Sequence, residues 1–174
     1  MPRLVQNSFI IDLLYETNME LDQFDRKILA ILQVDATVSM SALGERVGLS
    51  QSQAWRRVEK MEREGIILRR VAVLDRVKLG LMVEMFTQIK LNKHSERAGE
   101  RFVAAVALYP EVAEIHTVLG DVDFLLRIVT TDLDAYKKLL ADRLSTLPMV
   151  QDVRTLISLS DEAINRGLPV SLAT

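Results

Sequence analysis

This chain of 174 residues lacks several features that would define its class at once. It contains no cysteine, which excludes disulfide bonds and thiolate chemistry and fits a reducing compartment. No apolar run reaches the roughly 20 residues that a membrane-spanning helix needs. Asp12 interrupts the apolar patch at residues 9–11 and no small-residue cleavage site follows it, so we expect no signal peptide. A soluble, cytoplasmic protein with no membrane partner is therefore expected.

Sequence motifs of catalysis and metal binding are also missing. The two histidines, His94 and His116, do not stand at metal-ligand spacing with another histidine. The chain has no nucleophile elbow, no phosphate-binding glycine loop and no paired-carboxylate motif. We expect no catalytic residue, no metal site and no cofactor, and a small enzyme is kept only as an alternative.

Charge is nearly balanced overall, with a formal net charge of −2, but it is unevenly distributed. Residues 21–80 hold eleven basic and eight acidic residues, whereas residues 81–174 hold ten basic and thirteen acidic residues. This asymmetry is expected when one domain touches phosphates and another domain has a different role. An ordinary solvated surface is the alternative explanation.

Three amphipathic helices are predicted within residues 21–65. Asp22 can cap the first helix, and Ser39 can cap a shorter second one. Ser50 and Gln53 stand at the spacing of a capping box for the third helix. Because only a tight turn separates the last two helices, the pattern predicts a helix-turn-helix.

The exposed face of the third helix is suited to the major groove of double-stranded DNA. In a helix-turn-helix, the second helix of the pair presents its N-terminal residues to base edges. Arginine can form two hydrogen bonds with guanine, and glutamine can do so with adenine. The predicted DNA-binding residues are Ser50, Gln51, Ser52, Gln53, Trp55, Arg56, Arg57, Lys60, Arg69 and Arg70.

These residues have different predicted roles. The candidates for reading bases are Gln51, Ser52, Trp55 and Arg56. The candidates for positioning contacts to phosphates are Lys60, Arg63, Arg69 and Arg70. Arg57 lies at the edge of the buried stripe, which favours pairing with a buried carboxylate or a phosphate. For Trp55, packing against a neighbouring helix or a partner subunit stays open, and the nearby glutamates could merely neutralise the basic residues.

A change of periodicity after Gly65 indicates a second domain. Residues 66–74 are apolar and rich in β-branched side chains, which predicts a strand or strand-like connector. Beyond it, alternating and helical patterns predict the order β-α-β-β-α-β. The predicted strands are 82–91, 112–119, 124–129 and 150–159. The predicted helices are 95–108, with Phe102, Val103, Val106 and Ala107 facing inward, and 131–144.

Two helices covering one face of a four-stranded antiparallel sheet form the ferredoxin-like arrangement, which leaves the other face uncovered. That face would carry Phe86, Arg127, Arg154 and Leu156, a mixture too polar for a core and too apolar for bulk water. A second copy would cover it, and a two-fold dimer also suits a palindromic DNA site. We therefore expect a homodimer or a larger assembly.

Motifs in both halves of the chain point to one family. They are Leu21-Asp22-x-x-Asp25-Arg26-x-Ile28-Leu29, Val47-Gly48-Leu49-Ser50, Arg57-Val58, Glu62-x-x-Gly65-Ile66-Ile67 and Gly120-Asp121-x-Asp123-Phe124-Leu125. From Leu21 to about Pro169 the chain resembles the Lrp/AsnC family of transcriptional regulators. The resemblance implies an α+β fold in which an N-terminal winged-type helix-turn-helix is joined to a ferredoxin-like effector-binding domain. It also implies homodimers, often assembled into octamers, that respond to an amino acid.

The expected organisation has five segments. An N-terminal extension covers 1–20, the helix-turn-helix domain 21–65, a connector strand and linker 66–81, the effector-binding and oligomerisation domain 82–160, and a C-terminal tail 161–174. Residues 1–18 have no counterpart in the family, so they are expected to be either a flexible extension or the product of a start assigned too far upstream.

The family resemblance places the effector site at the turn between the second and third predicted strands. The candidate residues are Leu119, Gly120, Asp121, Val122, Asp123 and, on the last strand, Thr155. A glycine lets backbone N–H groups approach a carboxylate, and an aspartate can accept from an α-ammonium group. An ordinary hairpin is the alternative interpretation of a Gly-Asp pair between two strands.

Together these observations predict a sequence-specific DNA-binding regulator of amino-acid metabolism or transport. Its DNA binding or assembly would be modulated by a small effector, and it would be associated with the nucleoid. The alternative is an architectural DNA-binding protein that needs no effector.

Overall fold

The computed structural model describes residues 20–92, 97–159 and 167–173. The chain divides into two compact units. The first comprises described residues up to 72 together with 167–173, and the second lies between 73 and 159. Each unit has its own hydrophobic core. Within the described ranges, no helix has the length and apolar character needed to cross a membrane.

Three helices build the first unit, as the sequence predicted. They are α1 (Gln23–Leu32), α2 (Met40–Val47) and α3 (Gln51–Arg63). The three predicted cap residues, Asp22, Ser39 and Ser50, each accept a hydrogen bond from the first turn of their helix. These bonds satisfy backbone N–H groups that have no partner inside a helix. Ile28, Leu43 and Met61 meet in the centre with no exposed surface.

Helix α2 lies unusually close to the turn that leads into α3. A Cβ atom on Gly44 would lie 2.7 Å from the carbonyl oxygen of Leu49 and 3.2 Å from the carbonyl carbon of Ser50. The Leu49 amide donates to the Gly44 carbonyl at 2.8 Å. Gly48, at φ +79°, ends α2 in the left-handed conformation that glycine adopts without strain. Glycine at position 44 therefore permits the tight turn between the two helices.

The strand predicted for residues 66–74 is not formed. Residues 68–75 have neither helical nor strand structure, and the side chains of Leu68 and Val73 are 87% and 85% exposed. A strand requires a neighbour that completes its ladder of hydrogen bonds, and β-branched composition does not supply one. Accordingly, the described part of the chain shows no β-hairpin wing beside the three helices.

The second unit confirms the predicted β-α-β-β-α-β order and the ferredoxin-like arrangement. Its strands are β1 (Val83–Leu91), β2 (Val112–Thr117), β3 (Phe124–Thr130) and β4 (Val150–Ile157). Its helices are α4 (Ala98–Val106) and α5 (Leu133–Leu139), and α5 continues into a π-helical turn, Leu140–Leu144. The strands are antiparallel and lie in the order β2-β3-β1-β4, so β1 pairs with both β3 and β4.

The core of the second unit lies between the sheet and its helices. Met85 and Ile89 of β1 and Leu126 of β3 are fully buried there. The rings of Phe102 and Phe124 pack with their centroids 4.9 Å apart, which joins α4 to the start of β3. Met85 and Ile89 therefore face the core, on the side of β1 opposite to Phe86, as the predicted alternation requires.

Helix α4 differs from its prediction. The proposed start at Ser95 lies outside the described residues, and α4 begins at Ala98. Phe102 and Val106 are buried, but Val103 is 38% exposed and Ala107 is also exposed. Residues four apart share one face of a helix, whereas each neighbour is turned away by about 100°. The inward stripe is thus narrower than predicted.

Some element ends also differ. The predicted strand 112–119 ends at Thr117, because the Val118 amide donates to the Asp123 carbonyl at 3.1 Å and closes a turn. The predicted strand 150–159 ends at Ile157. Helix α5 begins at Leu133, since Asp132 caps it through the Ala135 amide at 2.8 Å.

The C-terminal residues return to the first unit. The Gln33 side chain accepts from the Leu168 amide at 2.8 Å and donates to the Leu168 carbonyl at 3.2 Å. Ala173 packs against the core of the three helices. This contact spans 135 positions and was not predicted from the sequence.

Gly44→Ala should destabilise the protein, because the added methyl group meets the backbone of the α2–α3 turn. We expect a loss of about 1–3 kcal/mol in the free energy of unfolding, the usual cost of overpacking. Urea denaturation followed by circular dichroism measures it. Gly99→Ala is the control, since a Cβ there lies 3.5 Å from Phe124 Cζ, an ordinary contact. Equal stability of the two variants would contradict the packing argument.

Candidate functional site

The start of α3 is held by a reciprocal pair of hydrogen bonds. Ser50 Oγ accepts from the Gln53 amide at 3.3 Å, and Gln53 Oε1 accepts from the Ser50 amide at 2.9 Å. The predicted capping box is therefore present. Because Gln53 Oε1 already accepts a hydrogen bond in the cap, the Gln53 side chain stabilises the start of α3 and is less available to contact a base.

Polar and aromatic side chains are exposed around the first two turns of α3. Gln51, Ser52 and Trp55, with Ser50 and with Met40 of α2, line an open cleft of about 510 Å³. Trp55 is 52% exposed, so within this chain it is not packed into a core. Its aromatic surface is available to nucleic acid or to a second subunit. Both interpretations from the sequence therefore remain open, whereas packing against a helix of the same chain does not account for it.

Two cations on the exposed face of α3 have no ion-pair partner among the described residues. They are Arg56 and Lys60, and both are exposed. They border a second open cleft, of about 450 Å³, whose other lining residues are Glu20, Asp22, Asp25, Leu49, Gln53 and Arg57. An exposed cation without an ion-pair partner can contact a base edge or a phosphate, the roles predicted for Arg56 and Lys60 respectively.

Other predicted phosphate contacts are paired with glutamates on the surface. Arg70 NH2 lies 2.8 Å from Glu62 Oε1, and Arg63 Nε lies 3.6 Å from Glu64 Oε1. Arg69 is exposed. Surface pairs of this kind contribute only about 0–1 kcal/mol, so a phosphate can displace the glutamate. The glutamates therefore do neutralise some of these basic residues, as the alternative interpretation held, but this does not exclude a role in DNA binding.

Arg57 borders the same cleft as Arg56 and Lys60, but carboxylates of α1 hold its guanidinium. Its NH1 atom lies 2.7 Å from Asp25 Oδ1 and 2.7 Å from Asp22 Oδ2, and its guanidinium carbon lies 5.4 Å from the centroid of the Phe24 ring. The hydrogen bond to Asp25, followed by the bond to Asp22, raises the pKa of Arg57 although desolvation opposes this. Of the two partners predicted from its position, the structure provides the buried carboxylate.

The Asp22 carboxyl carries both the cap of α1 and part of this ion pair. Partial desolvation is the largest single influence and raises its pKa. Hydrogen bonds from the Asp25 and Phe24 amides, together with the Arg57 guanidinium, outweigh that influence and leave the pKa of Asp22 below its usual value. The ionised carboxylate is therefore the form that the folded helices stabilise.

The predicted effector turn follows β2. Asp123 Oδ2 accepts from the Leu91 amide at 2.7 Å, and the Asp123 amide donates to the Ile89 carbonyl at 2.9 Å, so the turn is tied to the end of β1. Lys90 Nζ also donates to the Asp121 carbonyl. Gly120 lies at φ +153°, and Leu119 is fully exposed. Beside the turn is an open cavity of about 330 Å³, lined in part by Asp123.

Thr155 lies elsewhere in the same unit. Its hydroxyl bonds the Tyr136 hydroxyl, which lies 3.1 Å from Thr87 Oγ1 in the interior. In the sheet Thr155 stands opposite Thr87 of β1. Thr87 lies four residues before Leu91, whose amide donates to Asp123. The structure brings the five turn residues together, and it does not bring Thr155 to them within one chain.

The uncovered sheet face carries the residues predicted for it and an ion network that the sequence analysis missed. Arg127 NH1 lies 2.7 Å from Glu84 Oε1, and Arg127 Nε lies 2.8 Å from Glu114 Oε1. Glu114 Oε2 lies 3.0 Å from His116 Nε2. The bond to Glu84, which is nearly buried, is the main cause that raises the pKa of Arg127. Alternation along the strands could have placed these charges on one face.

A larger open cavity, of about 970 Å³, was also missed. It lies between the end of the connector and the sheet, with Val73, Leu79 and Val129 among its apolar residues and Glu84 and Arg127 among its polar ones. Nothing in the local patterns indicated that the connector would lie along the sheet. Over the described residues, no group of three or more aspartate, glutamate or histidine side chains could hold a metal ion.

Comparison with known proteins identifies the family. A model of the AsnC-type helix-turn-helix domain matches residues 21–62, and a model of the Lrp/AsnC ligand binding domain matches residues 84–168. The leucine-responsive regulatory protein of Escherichia coli (strain K12) is 39% identical over 142 residues, 82% of this chain and 87% of that protein. The glutamate uptake regulatory protein of Zymomonas mobilis is 36% identical over 151 residues, 87% of this chain and 92% of that protein.

A solved structure agrees with these matches. The transcriptional regulator of Neisseria meningitidis in complex with L-Met has a TM-score of 0.83 and 32% identity, over 87% of this chain and 97% of that chain. The names of these relatives are those of transcriptional regulators, not enzymes, as the sequence predicted. The three helices with their capped α3, followed by the ferredoxin-like unit, therefore place this chain in the Lrp/AsnC family of DNA-binding transcriptional regulators.

Proposed function

We propose that this regulator controls genes of amino-acid metabolism or transport, binds double-stranded DNA as a homodimer through α3, and responds to an amino acid. The observation that carries the proposal is the surface of α3, where Gln51, Ser52 and Arg56 are exposed beside one another. Two relatives support the choice of target and effector, since one is named for glutamate uptake and another was solved with L-Met. Association with the nucleoid follows from the same proposal.

DNA binding by α3 rests on the chemistry of its exposed residues. Gln51 and Arg56 can each form a pair of hydrogen bonds with a purine, and such a pair discriminates between bases by about 1–3 kcal/mol. Lys60 is one turn further along the helix and serves as a phosphate contact. Ser50 and Gln53 hold the first turn so that its residues meet the base edges in one register.

Dimer formation rests on apolar surface that the single chain leaves exposed. Leu156 on the uncovered sheet face is 59% exposed, and the connector exposes Leu68 and Val73 to a greater degree. A stable interface buries about 1,200–2,000 Å² in total, which requires a surface as extensive as a sheet face. Two copies related by a two-fold axis would cover this surface and align two α3 helices with a palindromic site. Further assembly into octamers is part of the proposal.

Effector binding is assigned to the turn at residues 119–123. Asp123 anchors the turn, whereas the Asp121 side chain is exposed and the Asp121 carbonyl accepts from Lys90 Nζ. We assign the α-ammonium group of an amino acid to Asp121 and its carboxylate to the backbone N–H groups near Gly120. Leu119 and Val122 would contact the effector side chain, and Thr155 would have to come from another copy.

Arg56→Ala should weaken binding to the DNA upstream of the gene for this protein. Loss of a paired hydrogen bond with a base costs about 1–3 kcal/mol of binding free energy. A mobility-shift assay at fixed salt measures the change. Lys137→Ala is the control, because Lys137 is exposed on α5 and pairs with Asp134. Unchanged affinity in the Arg56 variant, or wild-type binding no stronger than to unrelated DNA, would count against the proposal.

Asp121→Asn should weaken binding of the effector at least tenfold, because the ammonium group loses its counter-charge. Isothermal titration calorimetry with each of the twenty amino acids identifies the effector and then compares the variant. Asp134→Asn, an exposed aspartate in the same unit, is the control. If no amino acid binds or alters the affinity for DNA, the architectural alternative is favoured.

Leu156→Glu should convert the dimer to a monomer, since it places a charge within the proposed interface. Sedimentation velocity measures the change in mass. Leu108→Glu is the control, because Leu108 is 80% exposed at the end of α4, away from the uncovered face. A dimer that survives the first substitution and not the second would locate the interface elsewhere.

A further inference from the structure

Arg56 and Arg57 are neighbours in α3 with opposite surroundings. Arg56 is exposed and has no ion-pair partner among the residues described, whereas the Arg57 side chain is 30% exposed and lies between two carboxylates of α1. Adjacent residues of a helix point about 100° apart, and although both arginines border one open cleft, Arg57 is the one held by carboxylates there. The surroundings of Arg57 therefore indicate a function different from that of Arg56.

The carboxylates that hold Arg57 also build the start of α1. Asp25 Oδ2 accepts from the Asp22 amide at 3.2 Å, while Asp25 Oδ1 accepts from Arg57 NH1. Asp22 Oδ1 accepts from the Phe24 and Asp25 amides at 2.7 Å and 3.0 Å, while Asp22 Oδ2 faces Arg57. One guanidinium thus joins the N-terminal cap of α1 to the middle of α3.

This ion pair is not free to exchange for a phosphate. The Asp25 side chain is 7% exposed, so release of Arg57 would leave a buried carboxylate without its cation. The pair between Arg70 and Glu62 differs, because both of its side chains are 44% exposed and either can be resolvated. In addition, the Arg57 guanidinium lies against the Phe24 ring, an interaction that movement toward DNA would break.

We propose that Arg57 is a positioning residue that fixes the orientation of α3 on α1 and makes no phosphate contact, with Asp25 and Asp22 as its anchors. The proposal rests on DNA binding by α3. Direct base contacts are sensitive to small displacements of the helix, whereas phosphate contacts from long, flexible side chains tolerate them. Arg57 therefore acts on the discrimination between specific and unrelated DNA, and it does not add to the electrostatic part of binding.

The dependence of affinity on salt separates the two roles. Each phosphate contact contributes about −0.9 to the slope of log K against log salt concentration. Arg57→Gln should lower affinity for the upstream DNA at least tenfold, while its affinity for unrelated DNA and its salt slope stay those of the wild type. Lys60→Gln is the matched control and should make the slope shallower by about 0.9, the value for one neutralised phosphate. A shallower slope in Arg57→Gln, or an unchanged ratio of specific to unrelated affinity, overturns the proposal.

Arg57→Lys decides the question if Arg57→Gln does not fold. Lysine makes phosphate contacts as a point charge, so it would restore full binding if Arg57 touched DNA. Its ammonium ends one bond short of the position of Arg57 NH1, the atom that contacts both carboxylates, and it lacks the guanidinium that lies against Phe24. A positioning role therefore predicts that discrimination stays reduced, with circular dichroism showing a folded protein. Full recovery of discrimination in Arg57→Lys contradicts the positioning role. If the wild-type protein itself does not bind the upstream DNA more tightly than unrelated DNA, the proposed function fails, and not only the role of Arg57.

Discussion

The close approach of α2 to the turn before α3 is the constraint on which the recognition surface depends. With no side chain on Gly44, the backbone at Leu49 and Ser50 can pass within contact distance of α2. That passage determines where α3 begins, and the bonds between Ser50 and Gln53 then keep its first turn intact. The polar residues of the first turn are exposed because their helix starts at this point and at this angle.

Local signals account for the parts of the fold that were predicted well. Caps such as Ser39 and Ser50 satisfy N–H groups within three residues, and the alternation in β1 reflects a period that the strand cannot change. Both depend on neighbours in the sequence. The candidate DNA-binding residues could be proposed for the same reason, since α3 carries its cap, its buried stripe and its exposed face in one segment.

The parts that were missed depend on residues distant in the sequence. The connector at 66–74 has the composition of a strand, but among the described residues it forms no backbone hydrogen bonds with a neighbouring strand. Composition alone therefore could not predict its structure. The partner of Arg57 lies 32 positions away in α1, and periodicity could indicate only that some partner would be needed. Thr155 stays a prediction for the effector site, and its hydroxyl bonds Tyr136, a residue that the sequence patterns did not bring to it.

The return of residues 167–173 makes the three-helix unit discontinuous along the chain. The backbone leaves that unit near residue 72 and comes back through Leu168, which Gln33 holds by both its amide and its carbonyl. The three-helix unit is thereby built from two separate stretches of the chain, and Ala173 packs against its core. Removal of residues 167–173 would therefore uncover part of the core beneath the DNA-binding helices, although those residues lie more than 100 positions after α3.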